Sequence, residues 1–290
     1  MADRFRHFVA IDWSGAAGER HKGIAVAVAH AGGGAPVLVE HRWSRAEILA
    51  LLRDLPGDTL VGLDLGISLP FVDCGAFFPG WKESPPDARS LWTLVERLCA
   101  SDPHLGAQGL VDHAGTAPYF RNGVIEGSRF RCDGAEHGRG RFRVTELEQA
   151  RLGCRPTSNF NLVGAAQVGK SSLTGMRVLH ALGGSVPVWP VDPVPEAGPV
   201  VVEIYTTIAA LAAGRSAGTA KMRSFEAVNA ALAELDSRPV EASGPLDDHS
   251  ADALVSAAWL RTAAHDPALW APAAMTPHIA RTEGWTFGVP

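Results

Sequence analysis

The sequence is poor in cysteine and lysine and has no long apolar run. Its four cysteines, at 74, 99, 132 and 154, form no CxxC pair. That excludes a zinc ribbon, a thioredoxin-type redox site and a scaffold built on disulfides; the cysteines read as buried thiols. No stretch reaches the ~18 apolar residues that span a bilayer, and Met1–His7 carries no apolar signal core. A cytoplasmic protein with no membrane partner is therefore expected. The eleven histidines show neither HxxxH nor HExxH, which argues against a zinc hydrolase. No GxSxG elbow surrounds a serine. Lysine supplies 4 of the 26 basic residues (22, 82, 170 and 221), an arginine excess that reads as genome composition. The net charge of −5 does not suit a nucleic-acid coat protein, although an enzyme needs only a local basic groove.

Composition supports a sizeable core: 46% of residues are apolar and 20% charged. The pattern is α/β. Apolar runs at Phe8–Asp12, Gly23–Ala29 and Ala35–Glu40 predict a three-strand meander. Ser44 with Glu47 forms a capping box that opens a helix over Arg45–Asp54. Leu60–Asp64 and Val200–Tyr205 predict strands buried on both faces. Further helices are expected over Asp87–Ala100, Ser171–Leu182, about 223–235 and Asp248 to about Ala264, with a short strand at Phe160–Val163. Residues 70–160 are rich in proline and glycine and read as a large insertion in a single domain spanning 1–290, not a domain of their own.

The chemistry lies in acids placed where a sheet should be dry. Asp12, Asp64 and Glu203 stand at or near the ends of the three most apolar strands. Ionised carboxylates there are costly without partners, and ligands of open α/β sheets gather at the carboxyl ends of strands. A hard divalent cation, Mg²⁺ or Mn²⁺, would reconcile converging acids. The last helix adds Asp248 and Asp252. At about 100° per residue these two lie about 40° apart, at the edge of the apolar stripe. Between Arg121 and Arg155, eight arginines face five acids, a local excess that could hold a phosphate backbone through Arg141 and Arg143.

These motifs resemble the bacterial domain-of-unknown-function family DUF429, predicted nucleases of the ribonuclease H-like fold. The pieces that carry the resemblance are Val9-Ala10-Ile11-Asp12-Trp13-Ser14-Gly15, Val61-Gly62-Leu63-Asp64-Leu65-Gly66, Val163–Lys170, Val202-Glu203-Ile204-Tyr205 and Asp248–Val255. The resemblance implies a ribonuclease H-like, five-stranded mixed sheet flanked by helices, and the large insertion after the fourth strand departs from the minimal fold. It places catalytic carboxylates at Asp12, Asp64 and Asp252, with Glu203 on the fifth strand. Metal ligands would be Asp12, Asp64, Asp248 and Asp252, and His249 leaves the last ligand ambiguous. The expected reaction is metal-dependent phosphodiester hydrolysis of nucleic acid.

Two other readings stay open. Gly164–Ser171 matches GxxxxGK[ST] literally, so a nucleotide-binding ATPase or kinase would use Lys170 on a phosphate. The scaffold argues against it, because two acid-ended strands precede the loop. Asp12–Gly15 and Asp64–Ser68 also resemble, faintly, the phosphate motifs of actin-like ATPases. A non-catalytic interaction protein is the third reading, and the crowd of acids speaks against it.

Overall fold

In the computed structural model, which describes residues 4–131, 140–163, 168–216 and 218–290, the first half of the chain is largely as its pattern predicts. Strand β1 (His7–Asp12) pairs antiparallel with β2 (Ala25–His30), which pairs antiparallel with β3 (Val37–Leu38). Ser44 caps α1 (Arg45–Arg53): its Oγ accepts from the Glu47 amide, and the Glu47 carboxylate accepts from the Ser44 amide. The chain then crosses to β4 (Thr59–Asp64), parallel to β1.

The insertion carries α2 (Ala88–Cys99), opened by the Asp87 carboxylate on the Ser90 amide, then α3 (Gln108–Asp112). A hairpin of β5 (Arg121–Asn122) and β6 (Ile125–Glu126) and helix α4 (Val144–Arg151) complete it. The expected strand at Phe160–Val163 reduces to one bridge, Arg121 to Asn161. Helix α5 (Val168–Leu182) leads to a two-residue edge strand, β7 (Val188–Trp189), closed by Pro190, and then to β8 (Val200–Glu203). Helices α6 (Thr206–Ala212), α7 (Phe225–Glu234), α8 (Asp248–Ala263), α9 (Pro267–Trp270) and α10 (Pro277–Thr282) follow.

The six strands run β3-β2-β1-β4-β8-β7, one more than the resemblance implies, and β2 alone opposes the others. Helices cover both faces, so each strand sorts its side chains by alternation. Phe8, Ala10, Leu60, Val200, Val202 and Ile204 pack on one face with α6, α7 and α8. Val9, Ile11, Val61, Leu63 and Val201 pack on the other with α1, α2 and α5. Gly62 sits where β4 meets α8: a Cβ there would lie 2.7 Å from Ile204 and 2.9 Å from Leu260. The missing side chain lets the helix approach the strand closely.

Helix α8 is buried from Ser250 through Arg261 on every side, which corrects the expected amphipathic stripe. It is a central helix, packed on β1 and β2 beneath α6 and α7. Cys99 and Cys154 are buried free thiols, but Cys74 is disulfide-bonded, against the reading of it as a thiol. Among the described residues no helix is long and apolar enough to cross a membrane.

Candidate active site

Alternation decides which acids meet. Asp12 follows Phe8 and Ala10, and Asp64 follows Leu60 and Gly62, so both point to the α8 face. They are direct partners in the parallel register. Asp252 enters from α8, where Asp12 and Asp252 are each 5% exposed. Three acids separated by up to 240 residues therefore form one cluster at the carboxyl ends of β1 and β4.

The cluster carries two cations of its own. His249 Nδ1 lies 2.6 Å from Asp12 Oδ2, and Lys221 Nζ lies 2.5 Å from Asp252 Oδ2. Thr206, at the start of α6, directs its amide to Asp64 Oδ1 at 3.4 Å and its hydroxyl to Asp252 Oδ2 at 3.5 Å. Burial, then the charges of Asp12 and Asp252, hold the Asp64 carboxyl well above the ordinary carboxylate range. Burial raises Asp252 to about 6 even though Lys221 pulls the other way. The hydrogen bond to Asp12 raises His249 against its desolvation. Three carboxyl groups thus crowd against one ammonium and one imidazole.

The remaining candidates do not join. Glu203 is paired in register with Leu63 and shares the face of Val201, opposite to Asp64. There it accepts from Arg143 Nη2 at 2.6 Å and Nη1 at 2.8 Å, from the Ile67 amide at 2.8 Å and from Thr286 Oγ1 at 2.5 Å. It is a structural anchor, which corrects its assignment as catalytic. Arg143 is occupied by that pair, by Glu146 and by the Glu283 carbonyl. Arg141 is sealed against Asp73 and the carbonyls of Pro70, Ala76 and Phe77. Each arginine is 1% exposed, so neither can contact a substrate phosphate. Asp248 turns outward to Arg223, at 2.8 Å, and is removed from the ligand set. Of the basic stretch, Arg131 and Arg151 pair with Glu126 and Glu148, and Arg139 lies outside the described residues.

Of the phosphate-loop match, Gly164–Gln167 lie outside the described residues. Gly169, Lys170 and Ser171 are already helical, in the first turn of α5. A Cβ on Gly169 would lie 2.5 Å from the Asn159 carbonyl, so packing alone requires this glycine. Lys170 packs against the segment that follows Asp12. The loop after β1 presses on it, and a Cβ on Gly15 would meet the Lys170 backbone at 2.4 Å. Among the described residues Lys170 makes no ion pair. An open groove of about 480 Å³ lies elsewhere, between the β3 edge and residues 238–242, and contains none of the clustered acids.

Nothing in the sequence pattern marked Thr206, and Lys221 was visible only as one of four lysines. Of those four, Lys221 reaches the cluster, on Asp252.

No family model, curated protein or solved structure matches this chain. The site must be read from its own chemistry.

Asp12, Asp64 and Asp252 offer the hard oxygen donors that Mg²⁺ or Mn²⁺ takes, on three separate elements. The donor set suits such an ion. Among the described residues, however, no group of three or more His, Cys, Asp or Glu side chains is arranged to hold a metal. Lys221 pairs with Asp252, and His249 with Asp12.

Proposed function

We propose that the protein is a metal-dependent phosphodiester hydrolase acting on nucleic acid, on a ribonuclease H-like sheet. The observation that carries the reading is the convergence of Asp12, Asp64 and Asp252, from β1, β4 and α8, into one cluster of three carboxyl groups, two of them buried. A folded protein keeps such a cluster at a cost to its stability, and perturbed carboxylates of this kind concentrate at functional sites. The two strands and the final helix are also the elements on which the resemblance places carboxylates.

In this reading Asp12, Asp64 and Asp252 hold the ion. A bound divalent ion supplies Lewis-acid stabilisation for charge developing on phosphate oxygens. The chain's own groups do the rest. Lys170, whose backbone packs against Gly15 in the loop after β1, would supply a point charge for a phosphate. His249, hydrogen-bonded to Asp12, holds its proton more firmly than a free imidazole and can give it to a leaving oxygen. Arg141 and Arg143 take no part.

The test is cleavage of labelled single- and double-stranded DNA and RNA in Mn²⁺ or Mg²⁺. Cleavage is expected with wild type and is reduced by about 100-fold or more in Asp64→Asn, with an unchanged circular dichroism spectrum. Activity that survives Asp64→Asn, or that needs no divalent ion, overturns the proposal.

A further inference from the structure

Lys221 lies between α6 and α7, on the loop that leads into the acid cluster. Its side chain is 60% exposed, whereas that of its partner Asp252 is 5% exposed. The ammonium therefore reaches inward from a solvated stem to a buried carboxylate. Its charge also acts on Asp12 and Asp64. The next residue but one, Arg223, pairs with Asp248 and fixes the base of the loop against the start of α8.

We propose that Lys221 is a displaceable counter-ion: it occupies the cation position of the cluster until a divalent ion binds, and then withdraws. The inference rests on the metal-dependent reading above and adds a residue that competes with the ion.

Three observations support it. The three acids offer hard oxygen donors, and the ammonium already stands as a cation 2.5 Å from the Oδ2 of one of them, Asp252. The exposed stem can swing away without uncovering core, unlike that of a buried cation. The residue type fits as well. This chain uses 22 arginines and four lysines, and the buried cations of its pairs at Arg141 and Arg143 are arginines. Arginine locks a carboxylate with a rigid fork, whereas a lysine ammonium is a compact point charge on a flexible stem. A cation that must leave is better made from lysine.

The experiment is titration calorimetry of the full chain with MnCl₂, on wild type, Lys221→Met, Lys221→Arg and Lys221→Met/Asp252→Asn. Circular dichroism checks the fold, and Lys221→Gln replaces the methionine variant if that one does not fold. Removing a unit charge next to the ligands should tighten Mn²⁺ binding at least about tenfold in Lys221→Met. Lys221→Arg should bind no more tightly than wild type, and the double variant should lose the gain. The Mn²⁺-induced rise in Tm should follow the same order. Equal affinity in wild type and Lys221→Met, or weaker affinity in the variant, overturns the role of Lys221 and leaves the metal reading standing. No Mn²⁺ binding by wild type and no binding by Lys221→Met removes the metal reading, and this inference falls with it.

Discussion

Two buried acid clusters lie on opposite faces of the same sheet, and they differ in how their charge is met. On the α1–α2–α5 side, Glu146, Glu203 and Glu283 surround Arg143. Glu203 takes both terminal nitrogens of the guanidinium, and Glu146 takes Nε at 2.8 Å and Nη2 at 2.5 Å. Glu283 accepts from the amides of Phe71 (2.6 Å), Val72 (2.8 Å) and Val144 (2.7 Å). Each of these contacts is short, and the donors are backbone or a rigid fork. On the α8 side, Asp64 receives a long 3.4 Å amide contact, and the cations are a solvated lysine and a half-exposed histidine. The first cluster ties β8, α4, the loop after β4 and the chain's C-terminal segment together. The second is left short of positive charge and open to exchange. Acid count alone does not separate a pin from a site. The rigidity of the partners does.

Breaking the pin should have the largest effect. Arg143→Ala leaves Glu146 and Glu203 without their cation in a dry interior. Losing one partner of a buried ion network costs about 3–5 kcal/mol, enough to unfold much of the population of a marginally stable chain. Urea denaturation of Arg143→Ala should show that loss, and so should Glu203→Ala. A variant within about 1 kcal/mol of wild type would mean that the network is not the anchor its geometry indicates.

This contrast was only half legible in the sequence. The apolar strands, the capping box of α1 and helix α8 were all readable, because each depends on local pattern. Asp12, Asp64 and Asp252 could be selected because acids ending apolar strands are conspicuous. Glu203 looked the same by that criterion, and only alternation separates it. Once β4 and β8 are in register, Asp64 shares the face of Gly62 while Glu203 shares that of Leu63 and Val201. Register is a long-range property, and the sequence does not announce it. Arg141 and Arg143 failed for a related reason: a run of arginines looks solvated until the acids and carbonyls that bury it arrive from residues 70–77, 203 and 283. Asp248 and Asp252 stand one helical turn apart, yet the helix begins at the first and dives into the core by the second. Helical angle alone could not show that difference in depth.

The open cluster should respond to substitution with the opposite sign. Asp64→Asn removes a charge that burial and two neighbouring aspartates disfavour, so the protein should gain about 1–2 kcal/mol at pH 8 as activity is lost. The gain should depend on pH. Because the folded-state pKa of Asp64 is raised, the folded wild type keeps a proton there that the unfolded chain releases. The cost of the charge is absent below the unfolded value, grows as pH rises from about 4, and is complete above the folded value. The advantage of asparagine should follow that course, vanishing at acid pH and levelling off at alkaline pH. Thermal unfolding of both proteins from pH 4 to 9 measures it. A destabilised Asp64→Asn at pH 8 would make this cluster a second structural pin.

Asp248 offers the finest distinction, because it touches the site in sequence but not in space. Its partner Arg223 is a solvated side chain, and such pairs add little. The helix keeps its cap without it, since the Asp247 carboxylate accepts from the Ser250 amide at 3.0 Å. Asp248→Ala should therefore leave urea stability indistinguishable from wild type. It should also leave Mn²⁺ affinity within about twofold, since Arg223 already offsets its charge at the rim. Asp252→Ala, one turn on, should abolish that affinity. Should the two variants lose metal equally, the boundary of the site lies a full helical turn further out than the Arg223 pair indicates, and Asp248 returns to the ligand set.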